Sequence, residues 1–456
     1  MEHRVDVVVV GAGPAGLFAA RELARLTDLR VLILERGPDL PERLRDPSHL
    51  TSGFGGAGAF SDGKLTLSTE TGGRLAELVG PEVADLIAEV DRVFVELGAP
   101  LEVHGADAAE VERLARIAEA AGLTLRPARI RHVGTDRLPE LVQRLREQLP
   151  PDRVEIRTGC GAERVEVADG RLIGVAADGE LVRAPFVILA PGRAGADWLD
   201  AEARRLGLPA SRNVVDIGVR VECAAETMEP LTGPLYEFKL LTRSRTFGDR
   251  VRTFCVCPYG EVTLETYEDV VTVNGHSYAD RRTPNTNFAI LVTTRFTEPF
   301  REPIAYGRSV AHLANLIGGT VIVQRLGDLR LGRRSTPERI AEGSVRPTLS
   351  AATAGDLAFV LPYRYLTDVL EMLEAMDALA PGLYARDTLL YGVEVKFYSA
   401  QLRLSPEMET PIPGLFGAGD GVGASRGLVQ AAASGDLAAR AIARRVGQAA
   451  PDVDRP

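Results

Sequence analysis

Lysine is almost absent from this chain. Its 456 residues carry 53 basic side chains, and only Lys64, Lys239 and Lys396 are lysine. A lysine kept against that background marks a place where the planar fork of arginine would not serve, so each is a candidate for function. Cysteine is scarce as well, at four residues. So few thiols exclude a disulfide framework and an iron–sulfur cluster, and they fit a reducing compartment. No CxxC or CxxxxC pair occurs, and no metal-ligating set is read. Net positive charge is missing too. The formal charge of −10 argues against a generic nucleic-acid surface, which needs a basic patch. No apolar run approaches the ~20 residues of a membrane-spanning helix. The opening Met1-Glu-His-Arg-Val-Asp lacks a signal-peptide layout, so the expected compartment is the cytoplasm. What remains is 45% hydrophobic and 25% charged, an ordinary globular balance. At this length two or three lobes are expected, with room to enclose a large ligand.

The glycines carry the first positive signal. Val5 to Val10 is β-branched at every position but Asp6, the mark of a buried parallel strand. The pattern predicts a helix over Ala15 to Leu26 and a second strand over Arg30 to Leu34, one βαβ unit. Between the first strand and the helix lies Gly11-Ala-Gly13-Pro14-Ala15-Gly16. In that context Gly11 permits a tight turn, Gly13 lets the backbone approach a pyrophosphate, and Gly16 lets the helix pack on the sheet. The helix start, with Pro14 and Ala15, offers N–H groups and positive potential to the phosphates. Glu35 ends the second strand, 24 residues after Gly11, where its carboxylate should accept hydrogen bonds from an adenosine ribose. Arg36 stands beside it. A carboxylate there disfavours a 2′-phosphate, so NADP is not expected at this site. No second GxGxxG follows a strand, so a dedicated NAD(P)H domain is not expected either.

Near the other end, Ile412-Pro-Gly-Leu-Phe-Gly-Ala-Gly419-Asp420-Gly-Val-Gly-Ala-Ser-Arg-Gly427-Leu428 reads as a strand, a glycine turn and a helix from Ser425 to Arg445. It resembles the second FAD motif of the glutathione-reductase-like flavoproteins. That resemblance implies that Asp420 binds the ribityl chain or pyrophosphate. It also implies that Gly419, Gly427 and Leu428 bring a helix N-terminus to the flavin pyrimidine edge, whose dipole stabilises reduced flavin. Val187 to Gly192 resembles the strand and turn that close the first nucleotide-binding half, which adds Ala190 and Gly192. Thr158 to Val165 resembles the strand beside the adenine, which adds Ala162.

Five further segments are more distinctive: Thr51 to Leu65, Arg131 to Asp136, Cys255 to Gly260, Asn274 to Phe288 and Val395 to Ser399. Together they resemble a bacterial and archaeal family of FAD-dependent dehydrogenases, or NAD(P)/FAD-dependent oxidoreductases, over nearly the whole chain. The resemblance implies a fold and a cofactor, FAD, rather than a reaction. It places Gly55, Gly56 and Ala57 along the pyrophosphate and isoalloxazine edge, and Ser61, Asp62 and Lys64 near the flavin. Lys64 and Lys396 are candidates to stabilise reduced flavin, although a salt bridge would account for either. His132 and His276 sit among polar, turn-forming residues and are the candidates for proton transfer, against structural roles for both. Tyr259 and Tyr398 could face substrate. Cys255 and Cys257 flank Val256 in a strand and read as core thiols rather than a redox pair.

The expected fold is therefore α/β. Residues 1–70, 130–210 and 390–447 would form a discontinuous Rossmann-type FAD domain, with a helical insertion at 71–129 and a sheet-rich substrate domain at 211–389. The expected function is hydride exchange between flavin N5 and a small organic substrate. NAD(P)H or a protein electron carrier are the candidate redox partners. A flavin monooxygenase using NAD(P)H and oxygen is the enzymatic alternative. A non-catalytic lipid-binding protein on the same fold is the other. Tryptophan-halogenase-like chemistry is disfavoured, because Trp198 is the only tryptophan.

Overall fold

The computed structural model describes residues 3–46, 49–211, 214–267, 269–296, 299–300, 302–397, 399 and 401–449. Tyr398, named above, lies outside them. The chain divides into two compact units: residues 1–101, 135–213 and 399–456 form the first, and 102–134 and 214–398 the second. The stretch 71–129, expected as a single helical insertion, is split between them. The Val83–Glu96 helix packs on the C-terminal helix, where Arg440 pairs with Glu89. The Ala108–Ala120 helix instead packs on the Thr124–Pro127 strand and the Ala225–Leu235 helix of the second unit.

The first unit is built on a parallel sheet. Its strands lie in the order Leu415–Gly417, Phe186–Leu189, Val7–Val10, Val31–Glu35 and Val154–Thr158. Chain order reverses beside Val7–Val10. In an open α/β sheet that is the switch point, where ligands sit beyond the carboxyl ends of the strands. The four valines of Val7–Val10 are buried, as a strand covered on both faces requires. The Pro14–Leu26 helix leaves its end and packs on the Leu428–Ala449 helix. That approach is very close: a Cβ added at Gly435 would fall 2.0 Å from the Ala15 carbonyl oxygen. A second sheet in this unit pairs Ala162–Ala168, Arg171–Ala177 and Glu180–Arg183 in antiparallel order.

Two expectations at the chain end are corrected. The last helix starts at Leu428 rather than Ser425, because the preceding residues are held otherwise: Arg426 N–H donates to Gly72 O, and the Ser425 hydroxyl donates to Asp420. Helical backbone also runs on to Ala449, past the expected end at Arg445.

The second unit is an eight-stranded, mostly antiparallel sheet. Its central strands are Leu389–Lys396, Val215–Ala224, Asn285–Thr294 and Arg250–Cys257. Val215–Ala224 alternates with period two. Ile217, Val219, Val221 and Cys223 enter the apolar core beneath the helices. Asp216, Arg220 and Glu222 take the opposite face and are buried as well. Among the described residues no helix is long and apolar enough to cross a membrane.

Candidate cofactor and substrate sites

The glycine turn of the first unit is accounted for residue by residue. Gly11 has φ +108°, and a Cβ there would lie 2.2 Å from Ala190 O. Gly16 is closed in the same way, 2.0 Å from Gly11 O. Gly13 differs. Its backbone is extended, with φ −79° and ψ −177°, and its Cβ would meet only Gly56 Cα, at 3.8 Å. The fold itself thus requires glycine at 11 and 16, whereas at 13 it leaves a cradle that a side chain would fill. Gly13 caps the Pro14–Leu26 helix, whose first-turn N–H groups have no partner within the helix. That combination fits a pyrophosphate.

Glu35 is buried, and its carboxylate accepts three backbone hydrogen bonds: from Ala12 N at 3.0 Å, Gly37 N at 2.9 Å and Gly53 N at 3.0 Å. It ties the glycine turn to the 52–56 loop. A carboxylate has about four acceptor positions, so capacity for one ribose hydroxyl remains. Arg36 donates to Ser52 Oγ and Ala194 O. Gly161 packs against Arg36 and Cys160 N–H donates to Glu35 O, which brings Ala162 to this end of the site.

Sequence reasoning missed Arg43. Its side chain is buried and donates to the carbonyls of His49, Leu50, Gly53, Phe54 and Gly56. One guanidinium thereby shapes the loop that presents Gly55 and Gly56. Burial pulls its pKa down to about 10, against the attraction of Glu35, and the group stays charged at neutral pH. Because every hydrogen-bond acceptor is a backbone carbonyl, and the only side chain it stacks on among the described residues is Phe60, no polar side-chain motif announces it.

The remaining cofactor candidates converge here. Gly56 has φ +61° and caps the Ala57–Phe60 turn. Ser61 Oγ donates to Gly58 O. A Cβ at Gly58 would touch Leu428, one at Gly419 would lie 3.0 Å from Ala15 Cβ, and one at Gly421 would lie 2.7 Å from Gly192 O. Gly427 faces Gln430, which also donates to Thr66 O and Ser68 O. Asp420 accepts from Ser425 and faces Arg193 at 3.4 Å. Burial pushes its carboxyl up, and Arg193 and Ser425 oppose the shift. Lys64 is buried and paired with Asp62 at 2.9 Å.

In the second unit the distinctive segments also meet. His132 Nε2 lies 3.0 Å from the hydroxyl of Ser277, the neighbour of His276, and Nδ1 lies 2.8 Å from the Tyr236 hydroxyl. Hydroxyls can donate or accept, so either ring nitrogen can carry the proton. Tyr236 is stacked between His104 and His132, with centroids at 4.8 and 4.5 Å, and its backbone has φ +57°, a strained conformation for a tyrosine. Lys396 is buried in ion pairs with Glu265 at 2.9 Å and Glu394 at 3.2 Å. Burial alone would lower its pKa, but the two carboxylates raise it, so it remains a cation. Glu394 also pairs with Arg220, and Asn287 accepts from the same guanidinium. Gly275 admits this cluster: a Cβ there would lie 2.1 Å from both Arg220 and Asn287. Tyr259 donates to Glu229.

A buried charged sheet face was the second feature missed. Its signal is in the strand VDIGVRVECA, where Asp216, Arg220 and Glu222 recur with period two. A half-exposed strand gives the same pattern, so alternation alone does not reveal that both faces are covered.

A family described as FAD dependent oxidoreductase matches residues 6–253, more than half of the chain. Residues 216–397 match a family described as FAD-dependent protein, C-terminal domain-like. A Clostridium beijerinckii protein, named only as uncharacterized, is 28% identical over 469 aligned positions, covering 95% of this chain and 80% of that one. Protein FixC of Salmonella typhi is 28% identical over 201 positions, 42% of this chain and 37% of FixC. Among solved structures, L-proline dehydrogenase from P. horikoshii aligns with a TM-score of 0.44 at 12% identity, over 98% of this chain and 95% of that one. Glycine oxidase from Bacillus cereus aligns with a TM-score of 0.40 at 14% identity, over 97% and 95%.

Proposed function

The chain belongs to the FAD dependent oxidoreductase family, and from that premise we propose that it exchanges a hydride between bound FAD and a small organic molecule. The glycine turns of the first unit hold the cofactor. The observation that carries the cofactor half is Gly13, the one glycine of its turn whose missing side chain the fold does not explain. The strand order around Val7–Val10 and the turn at Asp420 support the glutathione-reductase-like form of the fold.

Bound FAD supplies two-electron chemistry at N5. The chain's own residues do the rest. The helix start after Gly13 binds the pyrophosphate, and Glu35 fixes the loops around it while offering its last acceptor position to the ribose. Lys64, tempered by Asp62, would offer positive charge to the flavin. His132 passes a proton along the Tyr236 and Ser277 hydroxyls. Lys396 is assigned to charge balance beside Glu265 and Glu394 rather than to proton transfer. The buried face of Asp216, Arg220, Glu222 and Glu394 is closed by partners within the chain, with Arg252 on Asp216, Asn287 and Glu394 on Arg220, and Thr348 and Tyr391 on Glu222. Four cysteines that are all thiols support a reducing compartment such as the cytoplasm.

The test is anaerobic stopped-flow mixing of the FAD-bound protein with NADH or NADPH, followed by oxygen. Slow reduction by both nicotinamides, and fast reduction by an organic substrate, is the expected result. Rapid bleaching by either nicotinamide with a fast oxygen step would replace this reading with a monooxygenase.

A further inference from the structure

We propose that Cys255 and Cys257 form a reversible dithiol–disulfide pair that exchanges with small-molecule disulfides and thiols. Their reading as core thiols assumed a regular strand, in which alternate Cα atoms stand about 6.6 Å apart, at the far limit of disulfide geometry. The strand is not regular there. Phe254 pairs with Ala289 and Cys257 with Asn287, so Cys255 and Val256 bulge opposite Phe288 alone. Cys255 takes φ +47°, a conformation rare outside glycine. The two sulfurs come to 3.7 Å with Cys255 half-buried and Cys257 fully buried.

A cation faces both sulfurs. Arg220 Nη2 lies 3.3 Å from Cys257 Sγ and 3.7 Å from Cys255 Sγ, and it also donates to Cys255 O. A guanidinium at that range favours thiolate, the reactive form. Within the second unit the other charges packed against it are Glu394 and, next to that, Lys396 and Glu265. The remaining cysteines lack such a partner set. Burial pushes the Cys160 thiol up to about 11, with Asp178 adding to the rise, and burial likewise raises Cys223.

Accessibility sets the order of events. The Cys255 thiolate attacks one sulfur of a disulfide RS–SR, that bond breaks, and RS⁻ departs. The Cys257 thiolate then attacks the Cys255 sulfur and expels the second RS⁻. The protons of the two protein thiols end on the two released thiols. The protein loses two electrons and two protons, and RS–SR is reduced to two RSH. A ring closed across one intervening residue is strained, and strained disulfides have the higher, labile potentials of regulatory or catalytic bonds.

The experiment poises the FAD-bound full chain in glutathione buffers from reducing to oxidising, quenches with acid, and alkylates after denaturation. In oxidising buffer, mass spectrometry should show two of four thiols protected together, with loss of two hydrogens and no adduct. Cys257→Ser should stop at a glutathione adduct on Cys255, and Cys255→Ser should remain unmodified. In the native reduced protein, iodoacetamide should label the half-buried Cys255 at least about tenfold faster than the buried Cys160 or Cys223. Four alkylated thiols in every buffer, or a wild-type adduct on Cys255 that never resolves, would overturn the proposal.

Discussion

The Glu35 carboxylate faces three backbone N–H groups, and that is more than a ribose contact demands. Replacing it strands buried donors at about 1–3 kcal/mol each. Glu35→Gln turns an amide N–H₂ toward some of them. It should lower the stability of the apoprotein by on the order of 2 kcal/mol in a denaturant titration and weaken FAD binding as well. An unchanged apoprotein midpoint would remove the loop-tying role. Lys64→Met should keep FAD bound but slow the flavin half-reactions in stopped flow, and unchanged rates would leave Lys64 as the partner of Asp62 alone. Asp368 gives a pH prediction. Burial pushes its carboxyl up to about 6, with Asp249 adding to the rise and Ser244 opposing it. The unfolded value is about 3.9, so between those values the folded chain binds the extra proton and stability falls as pH rises; the full penalty applies above about 6. Asp368→Asn should therefore raise the melting temperature at pH 8, with a gain that fades toward pH 4. A gain that grows on acidification would contradict the assignment. At this scale the sequence announced Glu35 by its place after a strand, and His132 by its polar company. Arg43 stayed hidden because its hydrogen bonds go only to carbonyls.

Elements were legible where local pattern and tertiary role agree. The valine run at Val7–Val10 and the glycine turn after it need no long-range information, and the Pro14–Leu26 helix follows from them. Agreement fails at the last helix, whose first expected residues are pulled into hydrogen bonds with Gly72 and Asp420. It also fails at the Cys255 bulge, since register against Asn285–Thr294 is a property of two strands and not of one. The small residues between the Pro14–Leu26 and Leu428–Ala449 helices make a sharp prediction. With 2.0 Å between a Gly435 Cβ and Ala15 O, Gly435→Val must force the helices apart. A loss of at least about 2 kcal/mol is expected in thermal or denaturant unfolding, and a stable variant with full FAD content would show that this packing is loose.

On the scale of the molecule, the boundaries were the least legible part. Residues 102–134 precede the middle of the first unit in sequence, yet they belong to the second, because Thr124–Pro127 pairs with Phe238–Arg243 more than a hundred residues later. Nothing local in Thr124–Pro127 names that partner. The glycine motifs visible in advance gather in the first unit, and the two candidate histidines, His132 and His276, lie in the second. The most direct test of the cofactor assignment is a fluorescence titration of FAD into apoprotein of the wild type and of Gly13→Ala. A methyl at position 13 meets no protein atom closer than 3.8 Å and needs no unusual backbone, so the variant should fold with the wild-type melting temperature. It should nevertheless lose FAD affinity by at least about tenfold, roughly 1.4 kcal/mol. Equal affinity in the two proteins would mean that the pyrophosphate does not lie against Gly13, and the cofactor site would have to be placed elsewhere.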